Sequence, residues 1–181
     1  MAETNNPITE ISKTLDSLLS NVDLTGVTSE SSGFTDLPEG YYLCKVDDAK
    51  LTTSKSSGNP MVSFTFTVQE DGKQVVTNED NNATLVKVKS SKGRKIFMHY
   101  VLKDERSIKR FASDMLKFEE EEGKSILSKE YFLNTETLND ALDLLVGMQI
   151  FVQITINKNQ DGTSSTWQNL ISWKRVSVLG L

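Results

Sequence analysis

Cysteine and histidine occur once each in this chain, as Cys44 and His99. A lone cysteine rules out an internal disulfide and fits a reducing compartment. One cysteine and one histidine cannot assemble a zinc set. There is no GxxxxGK[ST] loop to cradle nucleotide phosphates. No run of about 18 apolar residues occurs, so no transmembrane helix and no membrane partner are expected. The opening residues MAETNNPITE lack the apolar core of a secretory signal, which leads to an expected cytoplasmic location. No internal repeat is visible. Catalysis finds little footing, and the expectation is a non-enzyme with no cofactor and no metal.

What the chain does have is charge gathered in one place. Lys87, Lys89, Lys92, Arg94, Lys95, Lys103, Arg106, Lys109 and Arg110 face only Asp104 and Glu105 in the same stretch. That segment is +7 in a chain of net −5, so the remainder sums to −12. Phe97 and Tyr100 lie within it and Phe111 directly follows it. Positive charge attracts phosphates and rings stack on bases, the combination a groove for single-stranded nucleic acid needs. The acidic remainder argues against charge-driven binding over the whole surface.

The length and the 37% hydrophobic content fit one domain with an appendage. The appendage is residues 1–36. Asn6-Pro7 reads as a helix start, and Ile8, Ile11, Leu15, Leu18 and Leu19 follow at helical spacing, giving an amphipathic helix over 8–20. Its apolar stripe has three candidate partners: the chain's own body, a sister subunit in a homo-oligomer, or another protein. Residues 25–36 read as a flexible linker.

The body, 37–181, opens with a turn at Leu37-Pro38-Glu39-Gly40 feeding a strand with Tyr42, Cys44 and Val46 on one face. Val62, Phe64, Phe66 and Val68 alternate with Ser63, Thr65 and Thr67, a second strand whose rings belong to the core. Glu70 to Lys73 reads as a closing turn and Asn78 to Asn82 as a polar loop. Strands follow over 84–89 and 94–102, joined by a tight turn at Ser90-Ser91-Lys92-Gly93. In the latter strand Phe97 and Val101 share a face with Lys95 and His99, while Ile96, Met98 and Tyr100 share the other with Arg94, so there is no clean sidedness, and a strand inside the sheet or bent across it is expected. Helices are predicted over 104–118 and about 135–146, the second stopped by Gly147. A strand over 150–156, a hairpin turn at Asp161-Gly162 and a returning strand over 163–178 complete the chain. Strands, helices, then a closing hairpin is the OB-fold order. The expected fold is therefore mainly β with helices (α+β). It is an OB-fold-like antiparallel barrel with two helices between the third and fourth strand positions, plus the N-terminal helix. The strand at 83–89 is either an insertion or the first part of a bent third strand.

Leu37-Pro38-Glu39-Gly40-Tyr41-Tyr42, the loop ending Gly58-Asn59-Pro60-Met61, and Gly93-Arg94-Lys95-Ile96-Phe97 resemble a phage-encoded family. That family is catalogued as a domain of unknown function and linked to single-stranded DNA binding in replication and recombination. The resemblance covers about residues 37–115 and the terminal hairpin. It implies an OB-like barrel, a non-enzymatic role and a phage replication setting in the host cell cytoplasm.

The candidate nucleic-acid contacts are Lys87, Lys89, Lys92, Arg94, Lys95, Tyr100, Lys103, Arg106 and Trp167. Trp167 stands out among the rings because Ser165, Asn169 and Arg175 share its face on a regular strand. The bland alternative is that the cations are solvated and the rings are core, where large rings on strands usually sit. Two functions stay open. One is a single-stranded DNA-binding protein that coats DNA without reading sequence and meets replication or recombination proteins. The other is a phage structural, assembly or host-interaction protein using the basic patch against an acidic protein surface.

Overall fold

The structure is a computed structural model that describes residues 37–79, 82–120 and 124–181. The expected helix at 8–20, the expected linker at 25–36 and the end of the acidic run Glu119–Glu122 lie outside the described residues.

Among the described residues, seven strands make one antiparallel sheet: β1 (Gly40–Thr53), β2 (Pro60–Val68), β3 (Gly72–Thr77), β4 (Ala83–Val88), β5 (Lys95–Val101), β6 (Gln149–Lys158) and β7 (Ser164–Ile171). β1 is the hub. Its later half pairs with β2, from Cys44 opposite Val68 to Thr53 opposite Pro60. Its first half pairs along the other edge with β6, from Gly40 opposite Ile154 to Lys45 opposite Gln149. A register shift between Val46 and Asp48 inserts Asp47 as a bulge where one pairing gives way to the other. Tyr41 opposite Lys73 attaches the β3–β4 hairpin.

Alternation decides which face is core. Tyr42, Cys44 and Val46 on β1, Val62, Phe64, Phe66 and Val68 on β2, and Ile96, Met98 and Tyr100 on β5 all point inward and are buried. Two helices cover them: α1 (Glu105–Met115) through Phe111 and Met115, and α2 (Thr135–Leu145) through Ala141, Leu142 and Leu145. Rings run through this core in edge and stacked contacts, Phe66 to Phe64 (5.7 Å), Phe64 to Tyr100 (6.1 Å), Tyr100 to Phe111 (5.3 Å) and Phe111 to Phe132 (6.0 Å). Each helix starts where the sequence offers a cap. The Asp104 carboxylate accepts from Ser107 N at 2.7 Å in a capping box, and Asn134 Oδ1 accepts from Thr137 N at 3.0 Å.

The fold differs from the expected OB-like barrel in three respects. The sheet is open: β5 pairs only with β2 and β7 only with β6, with no ladder between them among the described residues. α1 and the turn after it meet both strands there. Ser107 and Arg110 of α1 line one pocket with β5 residues and Gln168 of β7, and Lys117 Nζ, just past the helix, donates to the Leu170 carbonyl at 2.9 Å. A side chain thus takes an acceptor on the edge that closure would need. Secondly, the helices follow the fifth strand rather than sitting between the third and fourth, because Gly72–Thr77 is a strand and not a turn and loop. Thirdly, the returning strand stops at Ile171, and Trp173–Leu179 is a short helix, α3. It docks on the sheet face away from the core, where Val176 and Trp173 meet Phe151, Ile171, Tyr41 and Leu43. Among the described residues no helix is long and apolar enough to cross a membrane.

Candidate nucleic-acid interface

β5 is an edge strand with an inner and an outer side. Its inner residues are buried, whereas Lys95, Phe97 and His99 face outward and are exposed. Phe97 is 58% exposed, an unusual position for so large an apolar ring. Its cross-strand neighbours are polar. Thr65 is opposite Phe97, Ser63 opposite His99 and Thr67 opposite Lys95, while Lys50 of β1 is opposite Ser63. The strand spans about 20 Å at roughly 3.3 Å per residue. A positive cluster flanks each end.

At the first end stand Lys87, Lys89, Lys92, Arg94 and Lys95, around the β4–β5 turn. Asp71 pins that turn. Its Oδ1 accepts from Ser91 N at 3.1 Å and Lys92 N at 3.2 Å, and its Oδ2 lies 3.5 Å from Lys87 Nζ. The Lys92 amide bond, with help from Ser91 and Lys87, holds the Asp71 carboxyl below its ordinary range. Ser91 adds to the pinning: its Oγ accepts from Gly72 N and donates to the Val88 carbonyl, both at 2.8 Å. The turn itself needs left-handed backbone at Ser90 (φ 60°) and Gly93 (φ 81°). Lys89 and Lys92 carry their charge there without an ion pair among the described residues. Lys95 does not. Its Nζ is 2.6 Å from Asp47 Oδ2, and Asp47 also accepts from the Thr67 hydroxyl. Partial burial raises the Asp47 carboxyl, but the bonds from Lys95 and Thr67 outweigh it and hold the group low. Lys87 also lines a groove of about 470 Å³ with Glu70, Asp71, Lys73, Leu85 and Gly180. Two carboxylates balance two ammoniums there, so that groove is no anion site.

At the other end stand Lys103, just after β5, and Arg106 on α1, both exposed and without an ion pair among the described residues. The continuous basic stretch of the sequence is therefore two clusters separated by the length of β5.

Of the remaining candidates, Tyr100 lies on the inner side, 9% exposed. Its hydroxyl donates to Asp114 Oδ2 at 3.0 Å, and Asp114 Oδ1 also takes Lys117 Nζ at 2.5 Å. Burial, then the Asp114 charge and bond, raise the Tyr100 pKa far above its usual value. Tyr100 is a core residue tying β5 to α1, not a surface for bases. Trp167 is 50% exposed on the outer side of β7, across the seam from β5. Arg175, placed on its face by the sequence reading, is on α3 instead. Trp173 is packed edge-on against Phe151 at 5.4 Å. Cys44 faces the core, its thiol donating to the Tyr42 carbonyl at 3.3 Å and pushed up to about 12 chiefly by burial, whereas His99 faces outward. The two do not form a pair. Phe97 is not among the contacts expected from the sequence. The signal was present in the alternation that placed Phe97 with Lys95 and His99, and Tyr100 with Ile96 and Met98.

The geometry is that of an open antiparallel sheet with one basic, aromatic-bearing edge. Residues 24–176 match the family described as "Protein of unknown function (DUF669)", and the chain belongs to that family. A comparison with curated proteins finds no match.

Proposed function

We propose that this protein binds single-stranded DNA without sequence readout, along the outer side of β5. The observation that carries the proposal is Phe97, 58% exposed on an edge strand between two positive clusters. A base stacks on the Phe97 ring while phosphates run toward Lys95, Lys92 and Lys89 at one end and Lys103 and Arg106 at the other. Trp167 offers a second stacking surface across the seam. No base-edge reader is required, because every base has a π-face. An edge that is open and one strand wide suits a flexible single strand better than a rigid duplex. The setting we propose is phage DNA replication or recombination in the host cytoplasm, with enzymes of those processes as protein partners. The test is anisotropy of a labelled single-stranded oligonucleotide with unlabelled duplex as competitor. Tight, salt-sensitive binding that duplex displaces poorly, and that Lys89→Glu with Lys92→Glu and Lys95→Glu abolishes, is the expected result. Normal binding by that triple variant would remove the assigned site.

A second reading is favoured by the β3–β4 hairpin. Val75, Val76, Leu85 and Val86 are 42%, 42%, 39% and 48% exposed, two on each side of it. Such an unguarded apolar finger suits a protein contact, as in a phage assembly or host-interaction protein. Excess unlabelled single-stranded DNA separates the two readings. It competes with ligand on the β5 strip and leaves a protein bound on the hairpin.

A further inference from the structure

The open seam between β5 and β7 contains a small polar pocket. Its volume is about 130 Å³, and it is lined by Met98, His99, Tyr100 and Val101 of β5, Ser107 and Arg110 of α1, and Gln168 of β7. That is well below the several hundred Å³ of a site for a drug-sized molecule, so it takes a single small group. Three of its side chains offer nitrogen donors or protonatable nitrogen: the Arg110 guanidinium, the His99 imidazole and the Gln168 amide. Arg110 is exposed and has no hydrogen bond or ion pair among the described residues. The nearest buried carboxylate, Asp114, is already engaged by Tyr100 and Lys117. The pocket therefore presents a guanidinium without an ion pair beside imidazole and amide nitrogens, with no carboxylate among the described residues of its lining. It lies where the β5 strip ends. His99 belongs to both, and Gln168 is the residue after Trp167.

We propose that this pocket is a phosphodiester subsite, holding one phosphate of the bound strand on Arg110 as the strand passes from Phe97 across the seam to Trp167. The inference rests on the single-strand reading above and adds to it a residue and a path. Arg110 matches the planar, two-oxygen face of a phosphate, and His99 and Gln168 complete the contact. The failure of β5 and β7 to pair is then what opens the site, since a closed ladder would occupy it.

The test compares wild type, Arg110→Gln and Lys109→Gln by anisotropy over a range of salt. Lys109→Gln is the control. It removes the same charge from the same helix, but Lys109 is paired with Glu105 at 2.6 Å and is not in the pocket. Thermal midpoints establish that all three are folded. The expected result is that Arg110→Gln weakens binding roughly ten- to a hundredfold and flattens the log–log salt slope by about 0.7, the value of one phosphate on a single strand. Lys109→Gln should leave the slope unchanged. Wild-type binding with Arg110→Gln no different from Lys109→Gln would overturn the subsite and leave the β5 strip standing. No binding by wild type would overturn both. Inorganic phosphate in large excess at matched ionic strength is the last arm. Weakening of oligonucleotide binding to wild type and not to Arg110→Gln is the result the proposal predicts, because strand and free phosphate then compete for Arg110; equal weakening of the two proteins would contradict it.

Discussion

Phe97 and Tyr100 are three positions apart on one strand, and the pleat sends them to opposite sides. That difference separates binding from stability at single residues. Phe97→Ala is expected to weaken single-strand binding by about 1–3 kcal/mol, the usual worth of a stacked base. It should change unfolding stability by no more than about 0.5 kcal/mol, since the ring is mostly exposed. Tyr100→Phe should act on stability instead. Removing the hydroxyl leaves Asp114 buried with a partner lost, a cost of about 1–3 kcal/mol in denaturant unfolding. Asp47 restrains Lys95, so Asp47→Ala should tighten binding and steepen the salt slope by up to about 0.7. The inward side of β2 was legible in the sequence, because strict alternation of large apolar residues has one burial solution, whereas β5 carries apolar residues on both faces and its sidedness was not. Whether a particular ring outside that pattern faced solvent was not. Exposure of Trp167 and burial of Trp173 depend on where β7 ends and α3 begins.

At the scale of elements, the β3–β4 hairpin and its turn into β5 are held by few groups, and Gly72 is one of them. A Cβ there would stand 2.4 Å from the Tyr42 ring and 3.0 Å from the Tyr41 carbonyl. Gly72→Ala is therefore expected to destabilise the protein by about 1–3 kcal/mol through overpacking, read as a lower denaturation midpoint with an unchanged m-value. β2, β5, β6 and both long helices were readable because each carries a sustained period, 2.0 for strands and 3.6 for helices. β3 was hidden because Glu70-Asp71-Gly72-Lys73 has turn composition, and Val75 and Val76 are the only apolar residues in the rest of the strand. α3 was hidden because Trp173, Val176 and Leu181 lie in a short run that either period fits. The open seam was invisible for a different reason. It depends on Lys117 reaching a carbonyl 53 residues away, a contact that no local pattern encodes.

For the molecule as a whole, the carboxylates set the acid limit. Asp47, Asp71, Asp104, Glu130 and Asp161 all have carboxyls held below their ordinary range by hydrogen bonds, joined by nearby cations at all but Asp161. A group depressed in the folded state adds stability above its unfolded pKa and loses it as pH falls through the folded value. Thermal midpoints should therefore be flat down to about pH 5 and fall below about pH 4, where free carboxylates titrate. Net charge points the same way as the proposed site. A chain of net −5 repels a polyanion except where its cations are concentrated, so binding should be local and strongly salt-dependent. The direct test of the central claim is the affinity of wild type and Phe97→Ala for a labelled single-stranded oligonucleotide, measured across salt with matched thermal midpoints. Tight wild-type binding that weakens steeply with salt is expected, with a several-fold or greater loss in Phe97→Ala at the same salt slope. Equal affinity of the two proteins, or no binding by wild type at low salt, would contradict that claim.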